Sequence, residues 1–401
     1  MTALAYDAAV PHRDALLDGA AVARALGIGP CERTHAKYRF GESLRVVHRT
    51  ADGGRVAGRS FPDAAAAFAR ARPHATAVGR RPGVMHAPAL DAVLWTFPND
   101  RRIGALPLLA GPGPALERLL GGPCAETRLV AYAAERSATA ACLDAAGRVT
   151  GFAKVHAGDG AERERRATAT VYAALGTSPC LRVPRLLGGD GAALALEPLP
   201  GRRLDALAPG ERADGLERLG AALATLHGLT PPPGARFDRL DPARLARAAG
   251  TIAAARPVAA RAAAGLLDAL RRRHPDAAGP DVCLHGDVNP RNVLLDGDRV
   301  GLIDLEDAAA GPAAADLGQL LAGLLCARVA GELAAPAAQA LGGALLRGYA
   351  EIAPPPRAES LAWHTAASVM ARRALTAVGR VRAADLRGLH GFLLAAEALV
   401  R

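Results

Sequence analysis

The chain has 401 residues, half of them hydrophobic and 3% aromatic, and its formal net charge is +10. This length accommodates two or three domains, and the scarcity of aromatic residues favours closely packed helices over an aromatic-rich β-sandwich. The positive charge raises the question of nucleic-acid binding. Because the arginines are scattered and no basic block is interleaved with aromatic residues, we expect no nucleic-acid partner.

The expected compartment follows from the N-terminus, the cysteines and the hydropathy pattern. The first residues carry charges that are not typical of a signal peptide, and no uncharged run reaches membrane-spanning length. The six cysteines form neither CxxC pairs nor metal-ligand spacings, which indicates buried thiols in a reducing compartment. We therefore expect a cytoplasmic protein without a membrane partner, and the sequence leaves its oligomeric state open.

Three regions differ in pattern along the chain. Residues 1–125 end in two segments rich in glycine and proline, at Gly111–Pro114 and Gly121–Pro123. Residues 126–200 have the pattern of strands with one helix, and residues 201–401 are mainly helical with one hairpin. These boundaries are the predicted domain boundaries.

A short internal echo links the first two regions. Residues 54–58 (GRVAG) resemble residues 147–151 (GRVTG), and in this alignment Phe61 falls at the position of Lys154. Either the match arises by chance or the first region is a degenerate copy of the second. In the second case the copy lacks its lysine, and we expect residues 126–401, but not residues 1–125, to bind a nucleotide.

Apolar residues spaced three and four positions apart predict several helices. One helix covers residues 162–175, with acidic residues in its first turn, where they suit the helix dipole. Two more are marked by leucine stripes: Leu216, Leu219, Leu223 and Leu226, and then Leu317, Leu320, Leu321, Leu324 and Leu325.

The segment with the clearest chemistry is residues 284–304. Two apolar runs flank the turn signal Asp296-Gly297-Asp298, which predicts a β-hairpin with Asn292 and Asp304 about equally far from its tip. An amide oxygen and a carboxylate at the open end of a hairpin are the hard ligands that Mg²⁺ prefers. Asp287 lies just before the hairpin, where it can accept a proton from an attacking hydroxyl.

Each of these residues also has a purely structural interpretation. Taken singly, Asp287 can cap a turn, Asn292 can begin a strand and Asp304 can end one. Taken together, an aspartate, an asparagine five residues later and an aspartate beyond a hairpin form the arrangement that phosphoryl transfer uses in protein kinases. We therefore predict a site for phosphoryl transfer.

Residues 285–308 and 316–317 resemble the signature of the aminoglycoside phosphotransferase and choline kinase-like superfamily. The resemblance rests on His285-Gly286-Asp287, Asn292, Ile303-Asp304 and Asp316-Leu317. It implies an α+β, bilobal protein-kinase-like fold, with a small β-rich N-lobe over residues 126–200 and a helical C-lobe over residues 201–401. It also implies Asp287 as the catalytic base, Asn292 and Asp304 as magnesium ligands, His285 as a brace for the loop and Asp316 as a structural residue.

The same resemblance implies an ATP-binding set in the N-lobe. The family requires a lysine on a strand that anchors ATP, and Lys154 is one of only two lysines in the chain. Helix periodicity makes Glu164 its expected partner and Glu162 the second choice. Residues 135–139, with Ser137, are the expected phosphate-covering loop, and Glu197 lies in a segment that resembles the hinge between the lobes.

Residues 1–125 resemble the cap domain of maltokinase-type sugar kinases in position only. The acceptor pockets of this superfamily are built from C-terminal helices, here expected to include Glu359, Trp363 and His364. The family's substrates imply ATP and Mg²⁺ as cofactors and a hydroxyl-bearing small molecule as acceptor, which is a sugar, an amino alcohol or an aminoglycoside-like antibiotic. The alternatives are a catalytically inactive nucleotide-binding scaffold of the same fold and, on net charge alone, a nucleic-acid-binding module.

Overall fold

The polypeptide forms two five-stranded antiparallel sheets followed by a mainly helical region. The computed structural model describes residues 4–275 and 280–401. Sheet and helix alternate only in the first half of the chain, and the second half consists largely of packed helices with short strands between them. This arrangement confirms the predicted α+β class.

The first region forms one sheet. Two helices precede it, a third follows its third strand, and a fourth follows its last strand. On β1 the residues from His35 onward alternate between the two faces, with Ala36 and Tyr38 buried and Lys37 exposed. The elements are α1 (Arg13–Leu17), α2 (Gly19–Leu26), α3 (Ala64–Ala71) and α4 (Pro114–Leu120), with strands β1 (Cys31–Arg39), β2 (Ser43–Thr50), β3 (Arg55–Ser60), β4 (Val84–Ala87) and β5 (Ala92–Thr96).

The second region builds the other sheet around a single long helix. This helix begins close to the predicted position and ends at the predicted residue, Leu175, because its buried positions recur at helical spacing. The elements are α5 (Gly160–Leu175), β6 (Glu126–Ala133), β7 (Ser137–Leu143), β8 (Val149–His156), β9 (Leu181–Arg182), β10 (Leu186–Asp190) and β11 (Ala193–Leu196).

The two sheets have the same topology. Their strand orders are β1-β2-β3-β5-β4 and β6-β7-β8-β11-β10. In each sheet three strands form a meander, a helix follows the third strand, and the last two strands return so that the final one lies beside the third. The two regions thus resemble each other in strand order as well as in the five-residue match between residues 54–58 and 147–151.

Strand pairing corrects the residue that matches Lys154 in the first sheet. In each sheet a three-residue connection joins the first two strands, and the cross-strand pairs that follow it include Arg45 with Arg59 and Thr139 with Lys154. Arg59, and not Phe61, therefore occupies the matching position. The echo misplaced it by two residues. Its alignment is one residue out of register with the strand pairing, in which Arg55 corresponds to Val149, and β8 carries one extra residue, Thr150, where its pairing with β7 shifts register.

The C-terminal region is mainly helical, and its short strands include the predicted hairpin. Both leucine stripes lie on predicted helices, and Leu219, Leu223 and Leu226 are fully buried. The elements are α6 (Arg212–His227), α7 (Pro242–Ala255), α8 (Ala260–Arg272), α9 (Ala314–Val329), α10 (Ala335–Ala350), α11 (Ala358–Ser368), α12 (Leu375–Arg380) and α13 (Ala383–Leu399), with strands β12 (Arg202–Arg203), β13 (Asp281–Leu284), β14 (Val293–Asp296), β15 (Arg299–Leu302) and β16 (Ala309–Pro312).

Two apolar cores tie residues 1–125 to the rest of the molecule. In the first core, Leu44 and Leu94 of the first sheet pack in one cluster with Ile252 of α7 and Leu389 of α13. The second core joins the segment 103–124 to the inner strands β7 and β8 of the second sheet. The first region therefore shares its interior with both of the other regions.

No helix in residues 4–275 and 280–401 is both long and apolar enough to cross a membrane.

Candidate active site

The predicted hairpin is present as β14 and β15. Its strands pair from Val293 with Leu302 to Asp296 with Arg299, and Gly297 and Asp298 form the two-residue turn. Asn292 therefore faces Ile303, whose N–H donates to the Asn292 carbonyl at 3.0 Å. Asp304 lies one residue beyond that pair, so the two predicted metal ligands are offset by one position.

His285 fixes the loop before the hairpin from inside the protein. It is fully buried, and its Nδ1 accepts from the Asp287 N–H at 3.3 Å while its Nε2 lies 3.0 Å from the Ile303 carbonyl oxygen. Through these two contacts the ring bridges the loop and the second hairpin strand. His285 thus positions other groups and does not reach solvent.

Asp316 supports the same loop from the start of α9. Its carboxylate accepts from the backbone N–H groups of His285 at 2.7 Å and Gly286 at 3.0 Å, and from His227 at 3.2 Å. Burial would raise the pKa of Asp316, but the hydrogen bond from His227 and these backbone donors hold it below its ordinary value. This is a structural role, in keeping with the prediction.

The carboxylate of Asp287 is held on one side only. Gln319 donates to Asp287 Oδ1 at 3.1 Å, and the guanidinium of Arg372 forms an ion pair with the same oxygen. Among the described residues, no hydrogen bond reaches Asp287 Oδ2. The Asn292 amide donates to the Asp287 carbonyl at 3.2 Å, so the loop and the hairpin are joined at this point.

Lys154 lies on β8, in the middle of the second sheet, and its ammonium group joins the two lobes. Its Nζ is 2.7 Å from Glu164 on α5 and 2.6 Å from Asp304 beyond the hairpin, with Glu306 at 3.7 Å. The predicted ion pair with Glu164 is thus present. Glu162 pairs instead with its own helix neighbours Arg165 and Arg166 at the surface.

The charges around Lys154 stabilise one another. Burial would lower the pKa of Lys154, but the carboxylates of Glu164, Asp304 and Glu306 raise it above its ordinary value. Burial would raise the pKa of Asp304, and the Lys154 charge holds it below its ordinary value. Both groups are therefore charged at neutral pH.

One further cluster has the composition of a metal site. His156, Glu164 and Glu306 have ligand atoms within 4.8 Å of one another. However, Glu164 Oε2 is also 2.8 Å from His156 and 2.7 Å from the ammonium group of Lys154, which is itself attracted to Glu306. Because a cation is already held between these groups, the cluster acts as a counter-charge for Lys154.

The expected phosphate-covering loop is shorter than predicted. The connection between β6 and β7 is residues 134–136, and Ser137 is already the first residue of β7, paired with His156. Glu135 is buried in this connection, and Arg136 forms an ion pair with Glu306 next to Lys154. Arg136 is therefore the member of the loop that reaches the site.

Glu197 lies directly after β11, where the chain leaves the second sheet. Its N–H donates to the Arg185 carbonyl at 3.0 Å, and its carboxylate accepts from the Arg185 N–H at 2.9 Å. These contacts fasten the start of the segment between the lobes, and a contact with the nucleotide stays a prediction.

The prediction that Trp363 and His364 line an acceptor pocket is wrong. Trp363 is buried and donates from Nε1 to the Leu270 carbonyl at 2.9 Å. His364 is buried against the Ser360 carbonyl at 2.8 Å, and burial lowers its pKa to about 4. Both serve the helical core, and Glu359 lies exposed in the first turn of α11.

Sequence reasoning missed three residues that contact the predicted site: Arg136, Gln319 and Arg372. Arg136 and Gln319 stand within segments already assigned to the site, and a polar residue on the apolar stripe of α9 was a usable signal for Gln319. Arg372 lies on a π-helical turn at residues 369–374, between α11 and α12. No local pattern marks it.

The model of the phosphotransferase enzyme family matches residues 147–355, slightly more than half of the chain. No curated protein sequence matches the chain significantly.

Two solved structures show the same fold at low sequence identity. Aminoglycoside phosphotransferase APH(4)-Ia is 17% identical, with 72% of this chain and 96% of that chain covered and a TM-score of 0.52. A ternary complex of a thermostable mutant of that enzyme with ADP and hygromycin B is 16% identical, with coverages of 72% and 97% and a TM-score of 0.51. The bilobal fold prediction is thereby confirmed, and the chain belongs to the phosphotransferase enzyme family.

Proposed function

We propose that the chain transfers the γ-phosphoryl group of ATP to a hydroxyl group of a small molecule. The observation that carries this proposal is the meeting of Lys154, Glu164 and Asp304 beside the loop that holds Asp287. An ammonium group aimed by a buried glutamate, next to a carboxylate and an amide, is the arrangement that kinases use for phosphoryl transfer. The nucleotide bound by the APH(4)-Ia complex supports the choice of a nucleotide donor.

Asn292 and Asp304 are the residues that would hold Mg²⁺. The Asn292 amide nitrogen is committed to the Asp287 carbonyl, which turns the amide oxygen outward as a ligand. Asp304 offers a carboxylate that Lys154 keeps charged. One amide oxygen and one carboxylate suit Mg²⁺, which takes few protein ligands and the rest from phosphate and water. When bound, the ion neutralises charge on the phosphate oxygens.

Lys154 would bind the phosphates of ATP in place of part of its contact with Asp304. Glu164 is almost fully buried and fixed to the sheet through His156, so it orients the ammonium group from behind. Because these charged groups are already in position, they need not reorient during the reaction, and no reorganisation energy is added to its barrier.

Asp287 would accept the proton of the acceptor. The hydroxyl oxygen forms a bond to the γ-phosphorus, the bond between that phosphorus and the β,γ-bridging oxygen breaks, and ADP departs. The hydroxyl proton passes to Asp287 Oδ2, the oxygen that Gln319 and Arg372 leave free. The proposed acceptors are a sugar, an amino alcohol or an aminoglycoside-like antibiotic.

The test replaces the proposed base without changing its shape. Asp287→Asn should lower turnover about 10²–10⁴-fold, the usual contribution of a general base, while Mg-ATP affinity stays near the wild-type value. Asp298→Asn is the matched control, since Asp298 is exposed at the tip of the same hairpin. ATP consumption and calorimetry with Mg-ATP give the two readouts.

Two results would contradict the proposal. Wild-type protein that binds no Mg-ATP would exclude the nucleotide site. Asp287→Asn that keeps wild-type turnover on an acceptor would show that Asp287 is not the base.

A further inference from the structure

A row of cations crosses three strands of the first sheet. Lys37 on β1 pairs with Arg45 on β2, and Arg45 pairs in turn with Arg59 on β3. Directly opposed residues have Cβ atoms about 4.5–5.5 Å apart, and like charges in such positions destabilise a sheet. The row therefore destabilises the folded sheet unless an anion compensates its charge.

Only part of that compensation is supplied by the protein. Glu135, from the connection between β6 and β7, is 2.6 Å from Arg59, 2.7 Å from Arg101 and 3.8 Å from Arg45. One carboxylate thus meets three arginines. Within residues 4–275 and 280–401, no carboxylate forms an ion pair with Lys37, at the end of the row.

Lys37 lies in a crowded place that water still reaches. Its side chain is on the exposed face of β1, yet surrounding protein atoms together with the charges of Arg380 and Arg136 lower its pKa to about 8. Since α12 packs against β1 while Lys37 stays exposed, Lys37 lies at the open edge of the junction between the first sheet and the C-terminal helices, and we call this junction the cleft.

The opposite wall is formed by the C-terminal helices. Arg380, at the end of α12, is 3.2 Å from His35, which lies on the same face of β1 two residues before Lys37. Burial and the neighbouring Arg380 lower the pKa of His35 to about 3, so this histidine adds no positive charge of its own. In the part of the chain that the structure describes, Arg380 has no carboxylate partner either.

This cleft adjoins the proposed reaction centre on two sides. Arg136, whose charge acts on both Lys37 and Arg380, forms an ion pair with Glu306 beside Lys154. Arg372, eight residues before Arg380 on the same run of helical turns, contacts Asp287. Eight residues of helical rise place Arg380 about 12 Å along the helix axis from Arg372, a span that a small acceptor with its hydroxyl at Asp287 can bridge.

The acidic groups near the centre are already paired with cations of the protein. Four carboxylates around the centre each have a basic partner: Asp287 with Arg372, Asp304 with Lys154, Glu306 with Arg136, and Asp307 with Arg239. An acceptor rich in amines would have to displace one of these basic partners. An anionic acceptor could instead bind Lys37 and Arg380, which have no carboxylate partner among the described residues.

We propose that Lys37 and Arg380 bind an anionic group of the acceptor, a phosphate or a carboxylate, and that polycationic aminoglycosides are poor substrates. This proposal rests on the proposed function and narrows its acceptor class. It also assigns a role in acceptor binding to residues 1–125, through Lys37.

The first test measures anion binding without turnover. Calorimetry with inorganic phosphate, in the presence of saturating Mg-AMP-PNP, should show one site that Lys37→Ala and Arg380→Ala weaken about 10- to 100-fold, since each removes a charge-assisted contact. Lys37→Arg should restore binding. Arg70→Ala, which removes an exposed cation of α3, should bind phosphate as the wild type does.

Three outcomes of this test would overturn the inference. They are no phosphate binding by the wild type, equal binding by Lys37→Ala and wild type, or a loss of Mg-AMP-PNP affinity in Lys37→Ala, which would place the cations at the nucleotide. If the wild type binds no Mg-AMP-PNP, the proposed function fails, and the same phosphate titration without nucleotide still decides whether the anion site exists.

The second test compares acceptors of different charge. ATP consumption with glucose 6-phosphate and gluconate should exceed that with glucose and with hygromycin B, and Lys37→Ala should raise the KM for the anionic compounds while the KM for ATP changes less than about twofold. Faster turnover of hygromycin B than of either anion would overturn the inference.

Discussion

The two sheets share one strand order but differ in the source of the countercharge for the cation on their third strand. On β8, Lys154 is paired by Glu164 from the helix that follows the strand. On β3, Arg59 has no such option because α3 contains no acidic residue, and its partner is Glu135 from the second sheet. The same position thus holds a cation against Asp304 of the C-lobe in one sheet and fastens a loop in the other.

The matching connections differ in a related way. Gly41 and Glu135 occupy the same place between the first two strands of their sheets, and both have positive φ angles, 76° and 59°. Glycine adopts this conformation freely, whereas another residue loses about 1–2 kcal/mol. The ion pairs with Arg59 and Arg101 offset that cost, so the backbone of the β6–β7 connection depends on the first sheet.

The largest expected effect comes from removing the countercharge that the two sheets share. Glu135→Gln should lower the free energy of unfolding by up to about 3 kcal/mol, because it leaves three arginines around an uncharged group. Arg59 and Arg101 partly reach water, which keeps the loss at the low end for a broken buried ion pair. Denaturant unfolding measures it, with Glu126→Gln, at the exposed start of β6, as the control.

If the free energies of unfolding of Glu135→Gln and this control differ by less than about 0.5 kcal/mol, the ion pairs of Glu135 do not hold the two sheets together.

The next effect separates the two third-strand cations by function. Lys154→Ala should lower kcat/KM for ATP about 10- to 100-fold, the equivalent of one or two charge-assisted contacts, whereas Arg59→Ala should change it less than about threefold. Steady-state kinetics at varied ATP gives both values.

Two glutamates on α5 sharpen this comparison. Glu164→Ala should reduce kcat/KM for ATP less than Lys154→Ala does, and Glu162→Ala should leave it unchanged because Glu162 pairs at the surface. Equal kinetics for wild type and Lys154→Ala would remove the distinction between the sheets. A larger loss with Glu162→Ala than with Glu164→Ala would show that the wrong face of α5 meets Lys154.

The smallest expected effect is a pH dependence of the stability that the Glu135 ion pairs contribute. Burial would raise the pKa of Glu135, but the hydrogen bond from Arg101 and the charge of Arg59 hold it below the ordinary value of 4.5. Its contribution to stability is therefore complete above pH 4.5 and is lost as the pH falls through the lowered pKa. Unfolding of wild type and Glu135→Gln between pH 7 and pH 3 should show a difference that narrows only at the acidic end; a constant difference would contradict this.

What the sequence could predict depended on the distance along the chain. Asn292 and Asp304 lie on the two arms of one short hairpin, so a turn signal placed them side by side with an error of one residue. Glu164 followed from the periodicity of a single helix. In both cases local geometry determines the contact.

The errors arose where local geometry does not decide. The ion pair between Asp287 and Arg372 joins residues from separate parts of the C-lobe, and only tertiary packing brings them together. The expectation that Trp363 lines the acceptor pocket rested on the resemblance alone, and an aromatic side chain on a C-terminal helix suits the core equally well. The misplacement of Phe61 came partly from the extra residue in β8, which leaves no mark in the sequence, and partly from a five-residue match that is one residue out of register with the strand pairing.

The first sheet closes the molecule into a ring of contacts. The lobes are linked directly by the covalent segment after Glu197 and by the contact of Lys154 with Asp304. A further link runs from Glu135 through the first sheet to α12, where Arg33 donates to the Val381 carbonyl at 3.2 Å. A two-lobed molecule with a single hinge opens like a clamshell, but a ring opens only if a link breaks or if all its segments move together. A ligand that binds between the lobes must therefore enter through the side of the ring or after the first sheet detaches from α12.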